Sequence, residues 1–270
     1  MFNSFNNTMD ITFKYSNNFK GMFEALTSFV DNISIHYDKT GLKIQAMDSG
    51  HISMIFIELY EDQFTKYDVK KSGVITLTSN SLKSIIRSMR DNDSVSMTLK
   101  DKSNIVDFLL YDGDRTNIYA VRLIDMEFEL LSMMNELEHD YMFVSKKIGI
   151  NKILNDIKNI EGDETIFHID ADKNFIIETK NDQVGLKITP SKEIVQITSF
   201  SQEKTNISVK YATKYLLNIN KMLGFCREKI ICKIDMNAPL VVELNIKVDD
   251  SLSNEVSTLK YFLAPKIDDQ

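Results

Sequence analysis

Residues 74–90 read VITLTSNSLKSIIRSMR, a run rich in β-branched residues followed at once by a stretch with helical spacing. The run Val74–Thr78 predicts a strand. In Asn80–Arg90 the apolar residues recur three and four positions apart, which predicts a helix with one buried face. The opposite face carries three bases spaced by four and three residues, Lys83, Arg87 and Arg90. The stretch therefore predicts an amphipathic helix, packed on a sheet, whose exposed face is basic.

The same pattern recurs on both sides of this stretch. Three further segments have helical periodicity, namely Asn18–Asp31, Lys147–Ile160 and Lys210–Leu223. Between the helices lie runs typical of antiparallel strands: Gly41–Ala46, Ile52–Tyr60, Ile105–Tyr111, Ile118–Ile124, Thr165–Asp170, Phe175–Thr179 and Leu240–Val248. Matching helices are about 130 residues apart, which indicates an internal duplication. We expect an α+β protein with two similar domains of antiparallel sheets and two helices each, at residues 1–125 and 140–270, joined by an ordered connector at 126–139.

Composition excludes several classes of protein. The 270 residues are 43% hydrophobic and contain no apolar run long enough for a membrane span or a signal peptide, so we expect a soluble intracellular protein without membrane contacts. The two cysteines, Cys226 and Cys232, lie in a strand-like stretch and are expected to be reduced. No disulfide framework or zinc site is predicted.

The charges are segregated by element. The net charge of −7 argues against a nucleic-acid ligand. However, the four predicted helices carry ten basic and three acidic residues, and the remainder carries 22 basic and 36 acidic residues. Basic residues on one helix usually just solvate an exposed face. Four basic helices together favour a surface that faces a polyanion and reads no bases.

Residues typical of catalysis are scattered. The histidines His36, His51, His139 and His168 have no metal-ligand spacing, and the acidic pairs Asp112/Asp114 and Asp170/Asp172 are interpreted as turn formers. No motif for a nucleophile, a nucleotide phosphate or a dinucleotide occurs. We predict no enzyme activity, no metal and no cofactor. A metal-dependent nuclease, the rival from another class, would need carboxylates clustered by the fold.

Three segments resemble one known family. They are QAMDSGHISM at 45–54, APLVVE at 238–243 and LKYFLAPKI at 259–267, and a weaker similarity spans about residues 8 to 268. Together they resemble proliferating cell nuclear antigen, the sliding clamp of eukaryotes and archaea. The resemblance implies the DNA clamp fold, assembled as a six-domain trimeric ring around duplex DNA.

The resemblance also implies which residues face DNA. These are the bases at or next to the positions where the family places its DNA-facing residues: Lys20, Lys83, Arg87, Lys152, Lys158, Lys210, Lys214 and Lys221. Arg90 is added as a DNA-facing base that compensates in part for family bases missing here. The match is incomplete, since Gly21, Thr27, Asn155 and Asn159 stand at positions that are often basic in the family.

Two further surfaces follow from the resemblance. A pocket for client peptides that carry a Gln and aromatic residues would comprise Met47, His51, Ile52, Met54, Leu131, Met133, Pro239, Ala264 and Pro265. Ring closure would pair two edge strands through Ile118, Tyr119, Val121 and Leu123 on one subunit and Phe175, Ile177 and Thr179 on the next.

The implied function is that of a processivity factor. It would bind duplex DNA without sequence preference, tether a DNA polymerase and other replication and repair proteins, and be opened by an ATP-dependent clamp loader. It would act in the nucleus if cellular, and in the host nucleus or a cytoplasmic replication site if viral. The alternatives are a clamp-like subunit of a checkpoint-type heterotrimer and a monomeric viral processivity factor. A long loop at Val248–Thr258 and an N-terminal extension depart from the family pattern.

Overall fold

A computed structural model describes residues 7–60, 63–126, 139–200, 206–247 and 256–267, with residues 199 and 200 described by their backbone alone. The chain divides into two compact units. Unit 1 comprises Met1–Ser49, Ile55–Leu131 and Ile246–Leu259, and unit 2 comprises Gly50–Met54, Ser132–Asn245 and Lys260–Gln270. The predicted boundaries treat each domain as one continuous range. In the structure, residues 50–54 belong to unit 2 and residues 246–259 belong to unit 1. As a division into domains, they stay a prediction.

Unit 1 is built mainly from the first eleven elements. They are β1 (Asn7–Phe13), α1 (Ser16–Thr27), β2 (Asn32–Tyr37), β3 (Leu42–Met47), β4 (Ser53–Leu59), β5 (Phe64–Val69), β6 (Gly73–Thr78), α2 (Ser79–Ser88), β7 (Ser94–Lys100), β8 (Ile105–Tyr111) and β9 (Thr116–Arg122). Its strands lie in the orders β5-β1-β7-β8-β9 and β6-β2-β3-β4. Strand β9 is therefore at the edge of the first sheet.

Unit 2 is built mainly from the remaining twelve elements. They are β10 (Tyr141–Lys146), α3 (Lys147–Ile160), β11 (Glu164–Ile169), β12 (Phe175–Lys180), β13 (Gly185–Ile188), β14 (Val195–Phe200), β15 (Ile207–Ala212), α4 (Thr213–Leu216), α5 (Ile219–Leu223), β16 (Cys226–Ile234), β17 (Leu240–Ile246) and β18 (Thr258–Leu263). Its strands lie in the orders β14-β10-β16-β17-β18 and β15-β11-β12-β13. Strand β13 is therefore at one edge of the sheet β15-β11-β12-β13.

The two units repeat one plan. Each runs strand, helix, five strands, helical segment and three strands, and the corresponding strands occupy corresponding places in the sheets. Every strand pair with a described register is antiparallel. The predicted α+β class and the two similar halves are confirmed.

The apolar stripes of the helices are buried, as predicted. In α1, Phe19 and Phe23 are at most 1% exposed, and in α3 Ile157 is fully buried. The ring of Phe19 lies 4.8 Å from that of Phe13 on β1, and the ring of Phe143 on β10 lies 4.8 Å from that of Phe175 on β12. Each helix therefore turns its polar face away from the core of its own unit.

The fourth predicted helix is wrong in its first part. Residues 207–212 form strand β15, which pairs with β11 and places Tyr211 opposite Thr165. Ile207, Val209 and Tyr211 are buried at every second position, which is the period of a strand, and of these three only Tyr211 lies in the predicted helical stripe. The helical part begins only at Thr213 and is split into α4 and α5. Lys210 therefore lies on a strand.

The second predicted helix ends earlier than expected. Its first turn is capped by Thr78, whose Oγ1 accepts from the backbone N–H of Ser81 at 3.1 Å. The helix ends at Ser88, since Met89 has an extended backbone with ψ 135°. The Asp93 carboxylate then accepts from the backbone N–H of Arg90 at 2.7 Å. Arg90 is therefore not on the helix face with Lys83 and Arg87.

Candidate nucleic-acid interface and partner surfaces

The basic face of α2 consists of Lys83 and Arg87. They are one helical turn apart, opposite the buried side chains of Leu82, Ile85 and Ile86. Lys83 is half-buried and Arg87 is exposed. Arg87 also lies in the last turn, where a cation interacts favourably with the helix dipole.

The other helices carry similar bases. Lys20 lies half-buried on α1, which packs on α2 within unit 1. In unit 2, Lys152 and Lys158 are exposed on α3, and Lys214 and Lys221 are exposed on α4 and α5. The Nζ of Lys214 lies 4.8 Å from the centre of the Tyr215 ring. Of the predicted DNA-facing residues, all but Arg90 and Lys210 are on helices.

Ion pairs are more frequent among strand bases than among helix bases, although Arg122, Lys146, Lys180, Arg227 and Lys229 on strands also form none among the described residues. In the described parts of the chain, six helix bases form no ion pair: Lys20, Lys83, Arg87, Lys152, Lys158 and Lys214. Five strand bases do form one, with Nζ–oxygen distances from 2.6 to 3.9 Å: Lys43, Lys66, Lys100, Lys187 and Lys233. Among helix bases, Lys147 pairs with Glu228 at 3.3 Å. The helix faces thus present cations that acidic neighbours do not neutralise.

The observed elements keep the charge segregation that the sequence predicts. With the corrected bounds, the helices hold eight basic and two acidic residues, whereas the strands hold twelve and eight. The other 12 basic and 29 acidic residues lie outside helices and strands or outside the described residues. The negative net charge therefore comes from the rest of the chain and not from the helices.

Arg90 belongs to a different arrangement, which we call the Asp93 network and define as Arg90, Asp93, Asp112 and Arg115. The Arg90 guanidinium lies 3.0 Å from Asp112 Oδ2. Arg115 contacts Asp112 at 3.1 Å and Asp93 at 2.9 Å, and it donates to the carbonyl of Ser88 at 3.1 Å. The Asp93 side chain is 0% exposed. The network fixes the end of α2 to the β8–β9 turn.

Hydrogen bonding keeps the Asp112 carboxyl charged. Burial raises its pKa, but hydrogen bonds from the backbone and guanidinium of Arg115 and from the backbone of Asp114 outweigh burial and hold the pKa below its ordinary value. Asp170 likewise accepts two hydrogen bonds from Asn174, at 2.8 and 3.0 Å. Both acidic pairs are thus anchored in turns, as the sequence predicts.

The predicted peptide pocket is described in part. The backbone N–H of Ala264 donates to the carbonyl of Ile52 at 2.8 Å, which brings these two segments together in unit 2. His51 is exposed, Ile52 is half-buried, and Met54 is buried at 7% exposure. Pro265 follows Ala264 and is half-buried, as is Pro239 in the same unit. Met47 is half-buried in unit 1, and Leu131 and Met133 lie outside the described residues. The pocket stays a prediction.

One of the two predicted interface strands is an edge strand. Strand β9 is paired with β8 on one side only, and its Ile118 is 53% exposed. Tyr119 is half-buried, and its hydroxyl donates to Ser88 Oγ at 2.5 Å. Val121 faces the core, and Leu123 follows the strand.

The other predicted interface strand is wrong. Strand β12 is internal, since it pairs with β11 on one side and β13 on the other. Its Phe175, Ile177 and Thr179 are at most 5% exposed and point into unit 2. The edge of the sheet on this side is β13, which the sequence analysis missed. The signal was a glycine at its start, Gly185, and a proline two residues past its end, Pro190, since proline is confined to strand ends and edges.

Candidate metal ligands do not converge in the described part of the chain, where no group of three or more His, Cys, Asp or Glu residues lies close enough to hold an ion. His168 on β11 lies 3.5 Å from Glu178 on β12, within a row of charges that continues to Lys187. Cys226 and Cys232 are buried and form no disulfide within the described residues. Among the described helices, none is long and apolar enough to cross a membrane.

Comparisons with known proteins agree with this geometry. The chain is 25% identical over 260 residues to proliferating cell nuclear antigen 1 of Plasmodium falciparum, covering 93% of both chains. It is 31% identical over 154 residues to a DNA polymerase sliding clamp of Methanobrevibacter smithii, covering 57% of this chain and 61% of the relative.

A solved structure has the same fold. The crystal structure of proliferating cellular nuclear antigen from Entamoeba histolytica superposes with a TM-score of 0.81 at 21% identity, covering 97% of this chain and all of that one. Residues 8–132 match the family model described as the N-terminal domain of proliferating cell nuclear antigen. The fold is the DNA clamp fold, and in sequence and in fold the chain is similar to the proliferating cell nuclear antigen family.

Proposed function

We infer that the protein is a DNA sliding clamp, a processivity factor that encircles duplex DNA and tethers a DNA polymerase. The observation that carries this inference is the set of helix bases without ion pairs, set against a chain whose net charge is −7. Each base stands on a helix whose opposite face is buried, so the cations are held on a rigid scaffold. The protein performs no chemistry on DNA and needs no cofactor.

The chemistry of this face suits the DNA backbone. Lysine and arginine neutralise phosphates and release counterions, an interaction that does not depend on base sequence. Contacts that carry no base readout permit sliding along the duplex. The neutral side chains of Asn155 and Asn159 lie exposed on α3 among its bases and lower the charge there.

Self-association closes the ring in this proposal. Strand β9 of one subunit pairs with β13 of the next, since both are edge strands with unpaired backbone groups. This replaces the pairing with β12 that the sequence analysis predicted. Such head-to-tail contacts close a ring when the rotation between subunits fits, and we propose three identical subunits. An ATP-dependent loader opens the ring on DNA.

Client proteins dock on the segments around Ile52 and Ala264. The half-buried side chains of Ile52, Ala264 and Pro265, backed by the buried Met54, offer a surface for the aromatic residues of a peptide that also carries a Gln. Adaptable apolar side chains with buried aromatic anchors are typical of such contacts. Through them the clamp holds the polymerase and repair proteins at replication sites, in the nucleus of a cell or at a viral replication site.

The test of encirclement uses a linear duplex with biotin at both ends. Protein is added either before or after streptavidin blocks the ends, and the complex is washed in high salt. A ring threaded before blocking stays on the DNA through the wash, whereas protein added after blocking is washed off. Equal loss in both orders would show that the protein does not encircle DNA.

The oligomeric state is measured in parallel by light scattering after size exclusion. A subunit of 31.1 kDa predicts a species of about 93 kDa that persists on dilution. An Ile118→Lys variant, changed on the exposed face of β9, is expected to shift the protein toward monomer. A wild-type chain that is monomeric at every concentration would favour the heterotrimer or monomeric alternative.

A further inference from the structure

The sequence contains one Thr-Pro or Ser-Pro step. Of its three prolines, Pro190 follows a threonine, whereas Pro239 and Pro265 each follow an alanine. Lys192 stands three positions after Thr189. Proline-directed protein kinases phosphorylate a hydroxyl residue that precedes proline, and the cyclin-dependent class favours a basic residue at this third position.

The Thr189–Pro190 step lies at the protein surface. Thr189 directly follows the edge strand β13 and lies outside helices and strands. Its side chain is exposed, as are those of Ser191 and Lys192. Within the described chain, the Thr189 hydroxyl has no hydrogen-bond partner. A residue before proline favours extended backbone, the form in which a kinase cleft binds its substrate.

The segment is held at both ends. On one side, Ile188 is paired with Ile177 in the β12–β13 ladder. On the other, the carbonyl of Ile194 accepts from Ser145 Oγ at 2.7 Å. Ile194 also packs against α3 so closely that a methyl group on Gly149 would lie 2.4 Å from its Cγ2. Thr189 and Pro190 are therefore displayed between two fixed points, next to the strand that the proposed ring interface uses.

We propose that Thr189 is a phosphorylation site for a proline-directed kinase of the cyclin-dependent class, and that its phosphate weakens self-association through β13. The second part rests on the proposed function. In the reaction, Thr189 Oγ attacks the γ-phosphorus of ATP, the bond from that phosphorus to the bridging oxygen of ADP breaks, and ADP leaves. The hydroxyl proton passes to the kinase base.

Charge accounts for the expected weakening. If β9 and β13 pair antiparallel across the interface, as all described pairs within these sheets do, the end of β13 faces the start of β9 on the neighbouring subunit. Just before that start, Asp112 is already paired with Arg90 and Arg115, whereas the exposed Asp114 forms no ion pair among the described residues. A phosphate adds a charge of about −1.5 to −2 at neutral pH and is repelled by neighbouring carboxylates. The phosphate would therefore meet the unpaired Asp114 carboxylate where the two edges join.

The test uses the full chain with a purified cyclin-dependent kinase, its cyclin and Mg-ATP. Intact mass is expected to rise by one phosphate, about 80 Da, and peptide mapping is expected to place it on Thr189. Thr189→Ala should abolish the addition. Ser191→Ala, changed two residues away, is the matched control and should be phosphorylated like the wild type.

Native mass across a dilution series then compares the unmodified and phosphorylated proteins. The concentration at which the oligomer dissociates is expected to rise roughly tenfold on phosphorylation. Kinase-treated Thr189→Ala protein should dissociate like the untreated wild type.

The outcomes separate the two proposals. A mass addition that persists in Thr189→Ala, or no addition at all, would overturn the modification site. Phosphorylated Thr189 with unchanged dissociation would overturn its effect on the interface. An unmodified chain that is monomeric throughout would overturn ring closure in the proposed function, while the mass addition would still decide the kinase site.

Discussion

Arg87 and Arg90 lie three residues apart in the sequence, yet they belong to two different regions of unit 1. Arg87 lies on the basic face of α2 with Lys83 and forms no ion pair among the described residues. Arg90 lies past the end of the helix and is 3.0 Å from Asp112 in the Asp93 network. The same residue type thus serves as a free cation in one region and as part of a fixed structure in the other.

The difference teaches how charge is used in this fold. A paired guanidinium has its charge offset locally, and its donors are occupied by carboxylate oxygens. An unpaired one keeps both its charge and its donors for a phosphate. The basic face of α2 should therefore determine DNA retention, and the Asp93 network should determine stability.

The largest expected effect is on DNA retention, which should depend on the basic face of α2. Lys83→Glu with Arg87→Glu replaces two cations on the helix face with anions, and we expect retention on end-blocked DNA and polymerase processivity to be lost. Native mass should be unchanged, because neither side chain lies on an edge strand.

The matched control makes the same change in charge elsewhere in unit 1. Lys39→Glu with Lys71→Glu alters two exposed lysines in turns between strands. We expect this variant to keep most of its processivity. Equal losses in both double variants would mean that net charge, and not the helix face, controls DNA retention.

The second prediction concerns stability. Asp93→Ala leaves Arg115 and the backbone N–H of Arg90 without their buried partner, and the free energy of unfolding in urea is expected to fall by about 3 kcal/mol. Lys83→Ala with Arg87→Ala should change it by less than about 1 kcal/mol, because surface substitutions rarely do more. A large loss in the helix-face variant would contradict the division between the regions.

The third prediction is a pH dependence of the network. The pKa of Asp112 is lower in the folded protein than its ordinary value of 3.8, so its contribution is present above that value and is lost as the pH falls through the folded-state pKa. Asp112→Asn is expected to lower the free energy of unfolding at pH 7 and to flatten its fall below about pH 4. Urea titrations between pH 7 and pH 3 measure both. An unchanged slope would show that Asp112 does not stabilise the fold through its charge.

The smallest effect compares single arginines on DNA. Arg87→Gln should lower the salt dependence of duplex binding by about one unit of slope, since one phosphate contact is lost. Arg90→Gln should change the slope by less than half as much. Binding to a short duplex at several salt concentrations measures both slopes, and a larger change for Arg90 would place that residue on the DNA surface.

Much of the fold was predictable because buried side chains recur at a regular spacing along helices and strands. Helix α3 begins and ends where its apolar stripe predicts, at Lys147 and Ile160, and strand β8 likewise at Ile105 and Tyr111. The fourth helix was misassigned because Tyr211 is buried in both patterns, as the last inward residue of β15 and as a member of the apolar stripe. Pairing with β11 decided in favour of the strand.

The sequence by itself determined the class of the protein, the repeat of its two halves and the segregation of its charges. These features follow from side-chain type and spacing, which the sequence contains in full. Only the tertiary structure decided that β13 and not β12 is the free edge, and that Arg90 is paired while Arg87 is not. An edge is defined by a missing neighbour and an ion pair by a partner distant in sequence, so both depend on how the chain packs.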